Sequence, residues 1–176
     1  MTSRRLPPPA LRLKSKVERV TNKVLNRLAL SLAQRSVTFT AHKLLNQPTV
    51  FGPAERLSVA PTAVVNNAVF NTVSGHINIG EWVMLAHGVY LASGEHDITK
   101  FNLERQVTAP HDGWDITIEE GAWLATNVTV LGPCRIGRHA VVAAGSLVRT
   151  DVPAYTIFAG VPARQVATVP HPATAD

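Results

Sequence analysis

Aliphatic residues recur at every sixth position late in the chain: Ile118, Leu124, Val130, Ile136, Val142 and Val148. Four positions after each stands a small or β-branched residue, in the set Ala122, Val128, Cys134, Ala140, Ser146 and Val152. A helix repeats at about 3.6 residues and a half-buried strand at about two, so neither explains a period of six. A fixed short period marks a solenoid, in which each coil buries its inward residues against the next. The same ruler begins upstream with Val59 and Val65, partnered by Ala63 and Val69. It slips by two residues and resumes as Val73, Ile79, Leu85 and Leu91, partnered by Ile77, Val83 and Val89. Gly80, Gly88, Gly132, Gly137 and Gly145 fall near the corners, where the backbone must bend.

The interruptions carry as much information as the repeat. From Leu91 to Ile118 the gap is 27 residues, three more than four repeats, so residues of about 93–115 are expected to leave the coil as a protruding loop. Long loops in compact domains are commonly functional. This one holds Gly94, Glu95, His96, Asp97, His111, Asp112, Trp114 and Asp115. After Val148, the prolines of Asp151-Val152-Pro153 and Gly160-Val161-Pro162-Ala163-Arg164 end regular pairing, giving a terminal coil and a tail at 171–176. The coil is thus expected over 58–170.

Residues 1–57 follow another pattern. Pro7-Pro8-Pro9 reads as an extended lead. Leu13, Val17, Val20, Val24, Leu28 and Leu32 are spaced by three or four, which predicts an amphipathic α-helix over 11–35. A connector with Pro48, Gly52 and Pro53 follows. Charge sharpens this division. Residues 1–35 hold nine Lys/Arg and one acid, a balance of +8, while the rest carries −3 of the total +5. A basic amphipathic helix packs on its own domain or a neighbouring subunit, lies on an anionic membrane surface, or serves as an organellar transit segment. Nucleic acid is not expected, since the arm lacks interleaved aromatics and no nucleic-acid module is present. Neither a membrane-spanning run nor a signal peptide is legible, so a cytoplasmic protein is expected, at the inner membrane surface if the helix binds lipid. The single cysteine excludes an internal disulfide framework. Cys134 lies on the small-residue track and reads as a buried, inert thiol.

Trp123-Leu124-Ala125-Thr126, Ile136-Gly137, Ala143-Ala144-Gly145-Ser146, Thr150-Asp151-Val152-Pro153 and Gly160-Val161-Pro162-Ala163-Arg164 together resemble the hexapeptide-repeat acyltransferases, over residues 59–168. The chain is most similar to the sugar O-acetyltransferases of the maltose, nodulation-factor and colanic-acid types. The resemblance implies an all-β solenoid, a left-handed parallel β-helix, although parallel crossovers are generally right-handed. It also implies a homotrimer with active sites between subunits, and acetyl-CoA as co-substrate with no metal.

Acyl transfer to a hydroxyl needs a base for its proton, and histidine titrates near neutrality. Ile79-Gly80 to His96 spans 17 residues, about one coil, which resembles the family's spacing to its catalytic histidine. His96 is therefore the expected base. Gly94-Glu95-His96-Asp97 resembles the family's Ser-His-Asp variant, with Glu95 in place of Ser. Asp97 or Glu95, or a backbone carbonyl, would orient the imidazole; Asp97 can instead meet a sugar hydroxyl. His87 and Trp114 are candidate acceptor contacts, as is Asn66 or Asn71, one coil before the histidine. For coenzyme A the resemblance implies Ala125, Thr126 and Ala144 along the pantetheine, with Arg149, Thr150 and Arg164 near the nucleotide phosphates. Ala125 departs from the usual glycine, and Arg149-Thr150 from the usual Thr-Lys order.

The expected activity is O-acetylation of a sugar or surface-polysaccharide hydroxyl. N-acetylation of an amino-sugar is the alternative within the class. Serine acetylation is disfavoured because those enzymes carry a larger helical N-terminal domain than 58 residues supply. Two other classes compete. A γ-carbonic-anhydrase-like metal enzyme needs clustered histidines, whereas His76, His87 and His96 are spaced by 11 and 9. A non-catalytic trimeric scaffold has no need of His96.

Overall fold

The six-residue ruler traces a three-sided coil. A computed structural model describes residues 21–28, 30–32 and 46–170, and the chain divides into two units, Met1–Leu45 and Asn46–Asp176. In the second unit short strands form three sheets. The first holds β1 (Thr49–Phe51), β3 (Val69–Asn71), β6 (Tyr90–Ala92), β9 (Thr129–Leu131) and β12 (Leu147–Val148), in that order. The second holds β2 (Leu57–Val59), β4 (Ile77–Ile79), β7 (Ile116–Ile118) and β10 (Cys134–Ile136). The third holds β5 (Met84–Leu85), β8 (Trp123–Leu124), β11 (Val141–Val142), β13 (Thr156–Gly160) and β14 (Ala163–Thr168). All pairs are parallel except β13 with β14, which closes the end as a hairpin.

Up to β12 the strands have two or three residues, with room for one or two inward side chains each, so in the regular part of the coil each face is met once per six residues and a turn takes 18. Ile118 lies in the second sheet, Leu124 in the third and Val130 in the first; Ile136, Val142 and Val148 repeat the cycle one turn on. Like sits on like. Phe70, Leu91, Val130 and Val148 form one column, Ile79, Ile118 and Ile136 a second, and Leu85, Leu124, Val142 and Phe158 a third. Nearly all are fully buried, each worth roughly 1.5–3 kcal/mol of apolar burial. The second set fills the corners: Ala122, Val128, Cys134, Ala140, Ser146 and Val152 are all buried. Burial, then the carboxylate of Asp151, pushes the Cys134 thiol up to about 12. Gly88 takes a positive φ of 71°, and a Cβ there would meet the Asn127 Oδ1 of the next coil at 2.2 Å.

The upstream phase resolves differently from its reading in sequence. Phe70 points inward, five residues after Val65, and Ile79 follows nine later. The two-residue slip is thus one corner short by one and the next long by three. Val73, expected on the inward track, lies on that long corner and is exposed. Pairing starts at Thr49, inside the stretch expected to be a connector, because β1 joins β3. Of the helix expected over 11–35, residues 21–28 and 30–32 are described and are helical; Leu13, Val17 and Val20 lie outside the described residues. Val24, Leu28 and Leu32 are exposed. Among the described residues no helix is long and apolar enough to cross a membrane.

Candidate functional site

Thirty-nine residues separate Leu91 from its partner Val130, against 18 from Val130 to Val148, so 21 residues are inserted between β6 and β7. The insertion is pinned at both ends on the long corner before β4. On the outgoing limb the Ser93 amide donates to the Asn71 carbonyl at 2.9 Å, and the buried Ser93 hydroxyl donates to the Gly75 carbonyl at 3.1 Å. On the return limb the Trp114 amide donates to the Ser74 carbonyl at 3.2 Å, and the His76 amide donates to Asp115 Oδ1 at 2.7 Å. There is no room for a side chain at Gly75: a Cβ would lie 2.5 Å from the Trp114 carbonyl carbon. The loop itself contains a short helix, Asn102–Val107, which the sequence reading lacked. Arg105 folds back on it, donating to the Lys100 and Ile98 carbonyls and lying 5.0 Å over the Phe101 ring.

His96 stands three residues beyond the buried Ser93 and is exposed, without a hydrogen bond or ion pair among the described residues. Asp97 is engaged elsewhere. Its Oδ1 accepts from the Thr99 hydroxyl at 2.7 Å and the Thr99 amide at 2.9 Å. These bonds hold the carboxyl below its ordinary value. Asp97 thus shapes the turn after His96, and among the described residues no hydrogen bond joins it to the imidazole. Glu95 is exposed beside it.

The expected site residues sort onto two different corners of the coil. Asn71, Glu95, His96, Asp97 and Trp114 gather where the first sheet passes to the second. Asn71 pairs with Ala92 in register, and its Oδ1 accepts from the Val73 amide at 3.1 Å. Arg149 and Thr150 follow β12 on this same corner and are exposed. Asn66, His87, Ala125, Thr126 and Ala144 gather where the third sheet passes to the first. There the Asn127 amide donates to the His87 carbonyl at 3.0 Å and the Gly145 amide to the Thr126 carbonyl at 2.9 Å, so these corners stack. Asn66, at a φ of 43°, donates to the Leu85 carbonyl at 2.7 Å, which ties it to the coil. Three residues of strand, about 10 Å, lie between the two corners. Within one chain the expected base and the expected pantetheine flank do not meet. Arg164 lies on β14, where its guanidinium donates to the Ala163 carbonyl at 2.8 Å.

One residue of this region escaped the sequence reading. Arg56 donates to the carbonyls of Val73 and His111, at 3.0 and 2.8 Å, and to Asp112 Oδ1 at 3.3 Å. Its acceptors lie 17, 55 and 56 residues away, and no local pattern signals such a partnership. Among the described residues no three His, Cys, Asp or Glu side chains are grouped to hold a metal ion.

With this geometry in view, the similarity to known proteins is informative. Residues 115–150 match the bacterial transferase hexapeptide (six repeats) family. The chain is 32% identical over 137 residues to serine acetyltransferase 2 of Arabidopsis thaliana, covering 72% of this chain and 40% of that protein. It is 30% identical over 90 residues to galactoside O-acetyltransferase of Escherichia coli (strain K12), covering 51% and 43%. The chain therefore spans less than half the length of these two relatives. A galactoside acetyltransferase solved in complex with coenzyme A shares the fold, with a TM-score of 0.52 at 24% identity over 71% of this chain and 61% of that one.

Proposed function

We propose, from the match of residues 115–150 to the bacterial transferase hexapeptide family, that this chain belongs to that family and transfers an acetyl group from acetyl-CoA to a hydroxyl of a sugar or surface-polysaccharide acceptor. In this proposal the coil is left-handed, as the family resemblance implies. His96 accepts the acceptor's hydroxyl proton as that oxygen attacks the thioester carbon. The tetrahedral oxyanion collapses, the carbon–sulfur bond breaks, and the imidazolium returns its proton to the leaving thiolate. The exposed imidazole of His96, held beside a doubly pinned corner, carries the proposal. Trp114 and Asn71, on the same corner, form the acceptor side. Thr126, Ala144 and Ala125 line the pantetheine, and Arg149, Thr150 and Arg164 meet the nucleotide end.

The two-corner separation supports an active site shared between copies. A neighbouring subunit would bring its Thr126–Ala144 corner to the His96 of the first. The outward face of the third sheet fits such a contact. Val64, Met84, Trp123, Val141 and Ile157 form one continuous apolar column in register, with Val64, Met84 and Trp123 each more than two-fifths exposed. The second sheet shows Ser58, Asn78, Thr117 and Arg135 in the equivalent places. A homotrimer packed through the third sheet covers the apolar column and completes three sites. The basic helix, with Val24, Leu28 and Leu32 on one face, would hold the trimer at an anionic cytoplasmic leaflet beside a lipid-linked acceptor.

A second acceptor, the serine hydroxyl, is favoured by the similarity to serine acetyltransferase 2. Thiol release from acetyl-CoA, measured with sugars, amino-sugars, serine and water alone, separates the readings. Turnover with a sugar hydroxyl supports the proposal. Turnover with serine alone replaces its acceptor, and no turnover above water with any acceptor overturns it.

A further inference from the structure

Arg56 sits at the end of a single 3-10 turn, Ala54–Arg56, between β1 and β2, far in sequence from His96 and Trp114. Its side chain is about three-quarters buried, and its guanidinium is spent entirely on one region. One acceptor, the Val73 carbonyl, belongs to the long corner on which both limbs of the insertion rest. The other two, the His111 carbonyl and the Asp112 carboxylate, belong to the return limb just before Trp114. Gly113, between Asp112 and Trp114, has a φ of 95°, and a Cβ there would meet nothing within 4 Å. The planar fork of an arginine can reach three acceptors at once; the ammonium of a lysine cannot hold that geometry.

We infer that Arg56 is a positioning residue for the acceptor side of the site: it clamps the return limb to the corner that carries His96, and so fixes Trp114 relative to the imidazole. The inference rests on the proposed acetyl transfer for its kinetic consequence, but not for its structural one. Asp112 is largely exposed, so its ion pair adds little, and the two carbonyl bonds do most of the holding.

The test uses the full chain with Arg56→Ala and Arg56→Lys. Hydrogen exchange is followed over 95–113, with β8 and β9 as internal controls, and KM is measured separately for acceptor and acetyl-CoA. Arg56→Ala is expected to raise exchange in 108–113 and the acceptor KM by about tenfold each. The acetyl-CoA KM and kcat should stay within about twofold, because no cofactor residue touches the clamp. Arg56→Lys, which preserves charge and most of the side-chain volume, should show the same pattern in weaker form and reads the same point if the alanine variant loses the fold. Unchanged exchange in 108–113 in both variants overturns the clamp, as does a fall in kcat with the acceptor KM unchanged. Should the wild-type chain turn over no acceptor, the proposed function fails while the exchange experiment still decides the clamp.

Discussion

Adding a single methyl group at Gly94 is a sharp test of how the loop root positions His96. Gly94 does not use the left-handed region, so alanine meets no backbone penalty there. The cost is purely steric. A Cβ would lie 2.7 Å from Ser74 Oγ, 3.0 Å from Ser74 Cβ and 3.2 Å from the Ser74 amide nitrogen. Non-bonded carbons rest at about 3.5–4.0 Å, so either the Ser74 side chain turns away or the loop root shifts by several tenths of an ångström. Overpacking of this kind costs about 1–3 kcal/mol, and a ~1 Å misplacement at a catalytic group can cost about a hundredfold in rate. Gly94→Ala should therefore lower stability modestly in thermal denaturation and lower thiol release far more. The atom in the way is the Ser74 hydroxyl, which is fully buried and has no hydrogen-bond partner among the described residues. Ser74→Ala alone should be neutral or stabilising, because an unpaired buried hydroxyl is lost. Combined with Gly94→Ala it should recover part of the lost rate, with a coupling of about 0.5–3 kcal/mol. If Gly94→Ala leaves turnover at the wild-type level, or loses as much in the Ser74→Ala background as alone, the steric account of the loop root is wrong.

Other expectations follow from single features. Trp123→Glu places a charge in the middle of the apolar column and should convert the proposed trimer to monomers of 19.0 kDa in light scattering, whereas a variant that keeps a trimer's mass would remove the third sheet from the interface. Cys134, with its thiol pushed up to about 12, should resist alkylation at pH 8 in the native protein and react on unfolding; rapid native labelling would contradict its burial. The Asp97 carboxyl is lowered by Thr99, so its turn is fully supported above the unfolded value of about 3.9 and loses that support as pH falls through the lower folded value. The protection of the Thr99 amide, its exchange rate taken relative to the intrinsic rate at each pH, should fall across that acid window, and Asp97→Ala should abolish that change in protection.

The coil was legible in sequence because its physics is local and repeated: one inward side chain per face, every six residues, from Ile118 to Val148. Legibility failed where the spacing changed. Val73 carries the right residue type for the core, but a corner three residues longer moves it outward, and periodicity alone does not locate an insertion within a turn. The insertion at 93–115 was visible as a broken ruler, yet its short helix was not, since Asn102–Val107 packs no buried residue and leaves no apolar stripe. The proposal of His96, at the mouth of the loop, rests on its spacing and on the family resemblance. That the expected base and the expected cofactor flank lie on different corners was not legible, because a linear alignment gives the coil number of a residue more readily than its face. Arg56 is the clearest case of all: its partners are brought to it only by the fold.

In the proposed acetyl transfer His96 accepts the hydroxyl proton, so His96→Ala should separate chemistry from cofactor binding. Thiol release with the best acceptor and coenzyme A binding by calorimetry should be measured on the same preparation. Turnover should fall by about 10²–10⁴ with coenzyme A affinity retained. Turnover within a few-fold of wild type, with binding intact, would contradict that role for His96.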